Sequence, residues 1–378
     1  VTVWDELVGQ EPAVAVLRNA IEDPSAMTHA WLLTGPPGSG RSNAARAFAA
    51  ALQCVHGGCG HCHDCTTTLG GTHPDVTVVA TEGVVIRAEV ARPLVELAQR
   101  SPSQGRWRVI VVEDADRLNE TSGNALLKAI EEPAPRTVWM LCAPSPQDVL
   151  VTLRSRSRSV ALRVPPVDAV VALLVGRDGV DPAVAETAAR AAQSHVGIAR
   201  RLARDPQARA RRDAVLAVAS RIRGVGDAVL AAGELVTTAQ ADAKAATEER
   251  DAGERAALLR SLGAEGAATL PPPVRAQVRA LEEEQKRRAT RAQRDVLDRA
   301  MVDLLSLYRD VLVVQLGADV GLVNVQHDAA VQDLARRSTP EQTLRRMDAV
   351  GEARTRLAGN VAPLLAVEAM TIALRPQG

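Results

Sequence analysis

Between a short apolar run and a stretch of strong helix formers lies Gly35-Pro36-Pro37-Gly38-Ser39-Gly40-Arg41-Ser42. Nothing else in the chain restricts its fold as much. The run follows G-x-x-x-x-G-K-[ST] at every position but one. In that pattern backbone N–H groups cradle phosphates, lysine reaches the β/γ oxygens and the hydroxyl holds Mg²⁺. The pattern needs a strand before it and a helix after it, and residues 30–34 and 43–52 have those compositions. A chain built this way is expected to fold as an α/β phosphate-loop domain around a parallel sheet. The exception is Arg41, which stands where lysine belongs. Arginine keeps the charge, but its planar fork does not fit the space of a compact ammonium. The loop residues Gly35, Pro37, Gly38, Ser39, Gly40, Arg41 and Ser42 are thus expected to suit ATP or ADP with Mg²⁺, with hydrolysis weak or absent. Only Lys128, Lys244 and Lys286 are lysines, so a chain-wide preference for arginine also accounts for part of Arg41.

The chain has 378 residues, enough for two or three domains. Up to about Val164 apolar strand-like runs alternate with helical stretches, with strands expected at 30–34, 76–80, 108–112 and 138–142. After Pro165-Pro166 only helices are expected. Stretches 167–175, 182–193 and 197–204 form a small unit that ends at the break Asp205-Pro206. The expected division is 1–164, 165–207 and 208–378. In the last part, 241–260 and 274–294 are strongly charged around a Gly/Ala/Pro break at 263–273. They read as solvated helices or a partly mobile insertion. Leu297, Met301, Leu304, Tyr308 and Val311 recur at helical spacing on one face, which core packing against neighbouring helices suffices to explain, Gly317 is a stop signal, and a last helix begins near Asn360 with Pro363 in its first turn.

Basic and acidic residues balance at 45 each, so net charge directs the chain to neither nucleic acid nor an anionic membrane. Aromatics at 2% disfavour a surface built on base stacking. There is no long apolar run and no basic-then-apolar leader, which leads to the expectation of a soluble, cytoplasmic chain with no membrane partner.

Cys54, Cys59, Cys62 and Cys65 form C-x4-C-x2-C-x2-C. Four thiolates so close in sequence suit a closed, tetrahedral structural Zn²⁺, whereas a catalytic zinc needs an open position. His56, His61 and His63 lie among them, and one of these replacing a cysteine is a minor alternative. Val109-Ile110-Val111-Val112-Glu113-Asp114 is an apolar strand ending in two carboxylates. One acid is suited to hold Mg²⁺ and the other to polarise the attacking water. Such strands usually end Asp-Glu, and the inversion shifts each carboxylate by roughly 1.5 Å, which matters where catalytic geometry tolerates about 1 Å. Acids that merely end a strand are the alternative.

With these motifs in place, the chain resembles the bacterial sliding-clamp loader subunits of the AAA+ superfamily. The segment Trp4-Asp5-Glu6-Leu7-Val8-Gly9-Gln10 is similar to the family's adenine-side segment, which implies Leu7 and Val8 as nucleotide contacts. His29 to Pro36, the four-cysteine module, Thr72-His73-Pro74-Asp75 and the run from Asn124 to Pro133 match the family in turn. Ser155-Arg156-Ser157 resembles its Ser-Arg-Cys motif, implying Arg156 as an arginine finger that acts on a neighbouring subunit's ATP. A surface ion pair beside Arg154 and Arg158 is the other reading. Gly197-Ile198-Ala199-Arg200 resembles the second sensor, implying Arg200 as a reader of the γ-phosphate, although a plain basic helix face also fits.

The resemblance further implies a helical lid after the AAA+ domain and an all-α C-terminal collar, with 297–311 and 360–374 packing between subunits. Hydrolysing members need lysine in the loop, Asp-Glu on the strand and a polar first sensor. Here Arg41, Glu113-Asp114 and Ala143-Pro144 stand in those places. The implied function is therefore that of the stationary, delta prime branch. Such a subunit works with motor subunits, delta, the sliding clamp and primed DNA as part of the polymerase III holoenzyme, a DNA-directed DNA polymerase. An ATP-hydrolysing motor subunit, or another DNA-acting AAA+ ATPase, is the alternative.

Overall fold

The computed structural model describes residues 2–80, 85–264, 271–359 and 361–376. They fall into two compact units, Val1–Arg204 and Asp205–Gly378. The first unit runs α1 (Glu11–Glu22), β1 (Ala30–Thr34), α2 (Arg41–Gln53), α3 (His63–Leu69), β2 (Val76–Val79), α4 (Ala88–Ala98) and β3 (Arg108–Val112). It continues with α5 (Glu120–Glu131), β4 (Thr137–Ala143), α6 (Val151–Arg154), β5 (Arg158–Ala161), α7 (Val167–Gly176), α8 (Pro182–Ala191) and α9 (Val196–Arg204).

The five strands form one sheet in the order β2-β3-β4-β1-β5, with every pairing parallel. Strands β1, β3 and β4 are buried along their whole length, as their unbroken apolar runs require when helices cover both faces. On one face Trp31, Leu33, Val109, Val111 and Met140 meet Leu17 of α1 and Phe48 of α2. On the other, Leu32, Ile110, Trp139 and Leu141 meet Leu94 of α4 and Leu126 and Ile130 of α5. The four expected strands are present, β2 one residue shorter and β4 one longer at each end. Strand β5 was not foreseen. Its Arg-Ser-Val-Ala text buries only Val160, and pairing with β1 makes it a strand.

The second unit is helical: α10 (Pro206–Arg221), α11 (Val225–Ser261), α12 (Pro272–Leu316), α13 (Asp328–Arg336), α14 (Pro340–Ala358) and α15 (Pro363–Ala373). Its core takes residues from Leu216 to Ala239 and from Leu297 onwards. The intervening charged text is the far half of α11 paired antiparallel with the near half of α12. Arg255 pairs with Glu282, Arg288 reaches Glu254 at 2.6 Å and Asp251 at 3.2 Å, and Gln285 donates to the Asp251 carbonyl at 2.9 Å. The insertion is thus a stapled hairpin arm continuous with the bundle helices, and residues 265–270 of the expected break lie outside the described residues.

Gly317 ends α12 at φ 61°, as its type suggested. The expectation that the apolar face of α12 packs between subunits is corrected, because Leu297, Met301, Leu304, Tyr308 and Val311 are all at most 1% exposed inside this unit's own core. On α15, Val367 and Met370 are likewise internal, and Leu364 and Leu365 are what it leaves exposed. Asn360 lies outside the described residues, and α15 begins at Pro363. Among the described residues no helix is long and apolar enough to cross a membrane.

Candidate nucleotide site and cysteine cluster

Strand β1 delivers the glycine-rich loop to the carboxyl edge of the sheet, between β4 and β5, where the strand order reverses. Open parallel sheets bind ligands at such a point. Gly38 and Gly40 take φ of 88° and 86°, a region that favours glycine, and Gly40 caps the start of α2. The loop closes one side of a cavity of about 300 Å³. Leu7, Val8 and Gln10 form another wall, and Pro165, His195 and Gly197 a third. Leu7, Val8 and the loop from Pro37 to Ser42 are therefore brought together as the sequence suggested.

Arg41 also lines this cavity, but its Nη1 donates to the carbonyl of Gly35 in the same loop. The cation is turned back on the loop's own backbone. Gln10, buried at 2% exposure, ties the loop to the chain beyond β5. Its amide donates to the carbonyls of Ser39 at 3.1 Å and Arg163 at 2.6 Å, and its oxygen accepts from the Arg163 N–H at 3.0 Å. No motif rule assigned that clasp.

The two acids follow β3. Arg46, one helical turn into α2, donates to Glu113 across 2.9 Å, so a carboxylate suited to polarise water is already paired. Strand β4 lies between β1 and β3, which puts the loop and the acids about 9–10 Å apart at strand level. Its last residue, Ala143, is fully buried and brings no polar group to that gap. Next to it, burial pushes the Cys142 thiol up to about 12, so no thiolate is offered there either.

Neither candidate arginine lines the cavity. Arg156 sits on the turn between α6 and β5, with its side chain 38% exposed. Its Nε donates to Glu131 at the end of α5, and its Nη1 donates to the Thr152 carbonyl at 2.9 Å. Arg154 and Arg158 are engaged elsewhere, on the carbonyls of Pro146 and Ala26. Arg200 is held by Asp178 at 2.7 Å, with Glu6 at 3.9 Å, and Arg204 shares Asp178 at 3.0 Å. It is His195, on the turn before α9, together with Val196 and Gly197 at the start of that helix, that reaches the cavity.

The four cysteines converge where α2 ends and α3 begins. Their sulfurs all lie within 4.8 Å of one another, and among the described residues no histidine joins them. Cys54 Sγ is 3.7 Å from the sulfurs of both Cys59 and Cys62. A tetrahedral ion with bonds of about 2.3 Å to sulfur would set edges of about 3.8 Å, so the donor set fits one. Backbone N–H groups of His56, Cys59 and Cys65 point at these sulfurs from 3.3 to 3.5 Å, orienting the ligands. Burial alone would raise the Cys54 thiol, but the N–H groups of Cys59, Gly58 and His56 outweigh it and bring it to about 6. Burial dominates at Cys65, whose thiol is raised. Gly58, at φ 103°, lets the loop pass against the amino-terminal segment, where a Cβ would come within 2.6 Å of Val3.

The family model described as DNA polymerase III, delta subunit, matches residues 9–166. DNA polymerase III subunit delta' of Pseudomonas aeruginosa is 37% identical over 143 residues, 36% of this chain and 44% of that protein. Residues 9–166 are similar to the DNA polymerase III clamp-loader subunits. The delta' subunit of Bacillus subtilis is 31% identical over 160 residues, 41% of this chain and 48% of its own. The tau/gamma subunit of Haemophilus influenzae is 34% identical over 155 residues, 40% of this chain and 22% of its own. The match thus spans less than half of each of these relatives. The matched region contains the loop, the acids, the cysteines and Arg156, while His195 and Arg200 lie past its end. Its fold is the parallel α/β sheet with a glycine-rich loop after β1 that the sequence implied.

Within this matched region the Thr72-His73-Pro74-Asp75 segment is structural. Asp75, fully buried, accepts from the N–H groups of Ser103, Gln104 and Gly105 and pairs with Arg108 at 2.9 Å. It pins the start of β2 to the loop that leads into β3.

Proposed function

We propose that this chain is a delta prime-type subunit of the polymerase III clamp loader, a stationary member that binds nucleotide without turning it over. The observation that carries this reading is the self-engagement of its own site. Arg41 is spent on Gly35 and Glu113 on Arg46, so the two groups hydrolysis would use both face their own chain. Phosphoryl transfer depends almost wholly on positioned charge, and a site with its charges already paired supplies little of it.

In this reading Arg156 acts in trans. Glu131 and the Thr152 carbonyl hold its Nε and Nη1, fixing the plane of the guanidinium on an exposed turn from which it meets the γ-phosphate of a neighbouring motor subunit. The cysteines hold a structural Zn²⁺, which contributes folding free energy where α2 and α3 meet. Helices α7, α8 and α9 serve as the lid and the second unit as a collar, and the assembly, with motor subunits and delta, opens a sliding clamp at primed DNA in the cytoplasm. The second reading, a motor subunit with ATP and Mg²⁺ in its own loop, is favoured by the retained cavity and the tau/gamma relative.

Reconstitution with a motor subunit tests the choice. Arg156→Ala should leave assembly intact and lower ATP turnover at the neighbouring site by about a thousandfold or more, the low end for a lost arginine finger. Unchanged turnover in an intact complex would remove Arg156 from this role.

A further inference from the structure

The turn that leads into α9 is strained. Gln193 and Ser194 are consecutive non-glycine residues at φ 48° and 64°, a region such residues rarely occupy in succession. Backbone bonds from Gln193, Ser194 and His195 to the carbonyls of Arg190, Ala189 and Ala192, at 2.8, 2.9 and 3.0 Å, hold it in place. Strain that is held this firmly gathers at functional sites.

What the turn delivers is His195. A Cβ built on Gly38 of the phosphate loop would lie 3.0 Å from His195 Cβ and 3.2 Å from its Cδ2, so the imidazole sits directly on the loop. His195 Nδ1 accepts from the Ile198 N–H at 3.4 Å, which places the ring proton on Nε2 as a donor. Ser39 lines the same cavity, and its buried hydroxyl has no hydrogen-bond partner among the described residues. Arg200, on α9, is taken by Asp178.

We propose that His195, rather than Arg200, is the residue by which α9 contacts the phosphates of a nucleoside di- or triphosphate at this loop, donating from Nε2 to a phosphate oxygen. The inference rests on the reading that the loop binds nucleotide. It adds that the lid responds to phosphate through an imidazole in contact with the loop.

Titration of the full chain with Mg²⁺-ADP and Mg²⁺-ATP tests it. In His195→Asn the side-chain oxygen still caps α9 but the Nε2 donor is gone. Affinity for both nucleotides should fall about tenfold, as loss of a hydrogen bond to a charged group implies, and adenosine binding should not change. His195→Gln, which restores a distal N–H, should recover part of the loss. In the unaltered protein, the His195 imidazole resonances should shift on addition of Mg²⁺-ADP. Equal ADP affinity in His195→Asn, or no shift at His195 under saturating ADP, overturns the inference alone. An unaltered chain that binds neither nucleotide overturns the nucleotide reading beneath it as well.

Discussion

The guanidinium of Arg41 donates to the carbonyl of Gly35, six residues back in the same loop, so the cation of the phosphate site is bound by the site itself. Lysine has a compact head on a flexible stem and no planar fork to dock on that carbonyl. The substitution therefore alters where the charge points as well as its shape.

Arg41→Lys should free Gly35 and raise ADP affinity several-fold. ATP turnover should stay at background, because Arg46 still holds Glu113 and Ala143 still offers no polar side chain. Calorimetric titration beside a phosphate-release assay checks both parts. Full turnover from this single change would mean that Glu113 is not disabled.

Asp75 should make the first unit acid-sensitive. Burial opposes its charge, but the N–H groups of Gly105, Ser103 and Gln104 outweigh that and hold its carboxyl near about 2. A folded value below the ordinary 3.8 gives stability that is present above about pH 4 and lost as pH falls towards 2, worth about 2 kcal/mol. Asp75→Asn removes the charge facing buried Arg108 and should cost about 3 kcal/mol near pH 7. The gap between the two proteins should narrow by about 2 kcal/mol as pH falls from about 4 to about 2, in denaturant melts followed by circular dichroism.

Metal content should be close to one ion per chain, bound by Cys54, Cys59, Cys62 and Cys65. Chelation or Cys54→Ser should lower the melting temperature of the first unit by roughly 5 °C or more, the scale of losing a few kcal/mol in a unit of this size. Elemental analysis with calorimetric melts would show it. A chain that purifies free of metal and melts identically with chelator would refute the assignment.

The hairpin arm should be dispensable for folding. Its ion pairs join Arg255 to Glu282 and Arg288 to Glu254, while the core of the second unit draws on residues up to Ala239 and from Leu297. Replacing residues 246–288 with a short Gly-Ser turn should leave the melting temperature of that unit within a few degrees. Loss of a cooperative transition would show that the arm is part of the core.

Motifs that act through their own backbone were legible before the fold was known. The loop at 35–42, the apolar runs of β1, β3 and β4 and the four cysteines each carry their geometry in their spacing. Features set by distant partners were not. Nothing local says that Arg200 will meet Asp178 or that Arg46 will meet Glu113, so the sequence leaves a phosphate-reading arginine and a plain basic helix face, or catalytic and merely strand-ending acids, side by side. Strand β5 is polar text made extended by its neighbour, and the arm looked separate because its charge masked helices continuous with the bundle. His195 was passed over because a single histidine between helices has no pattern. Its only signal was Gln193-Ser194-His195, a break too polar for either helix.

The most direct test is ATP turnover by the purified chain alone at saturating Mg²⁺-ATP. The account predicts no activity above that of Arg41→Ala, with ADP and ATP still bound by the unaltered protein. Robust turnover that survives Arg156→Ala and disappears in Arg41→Ala would contradict it, and would make this chain a motor in its own right.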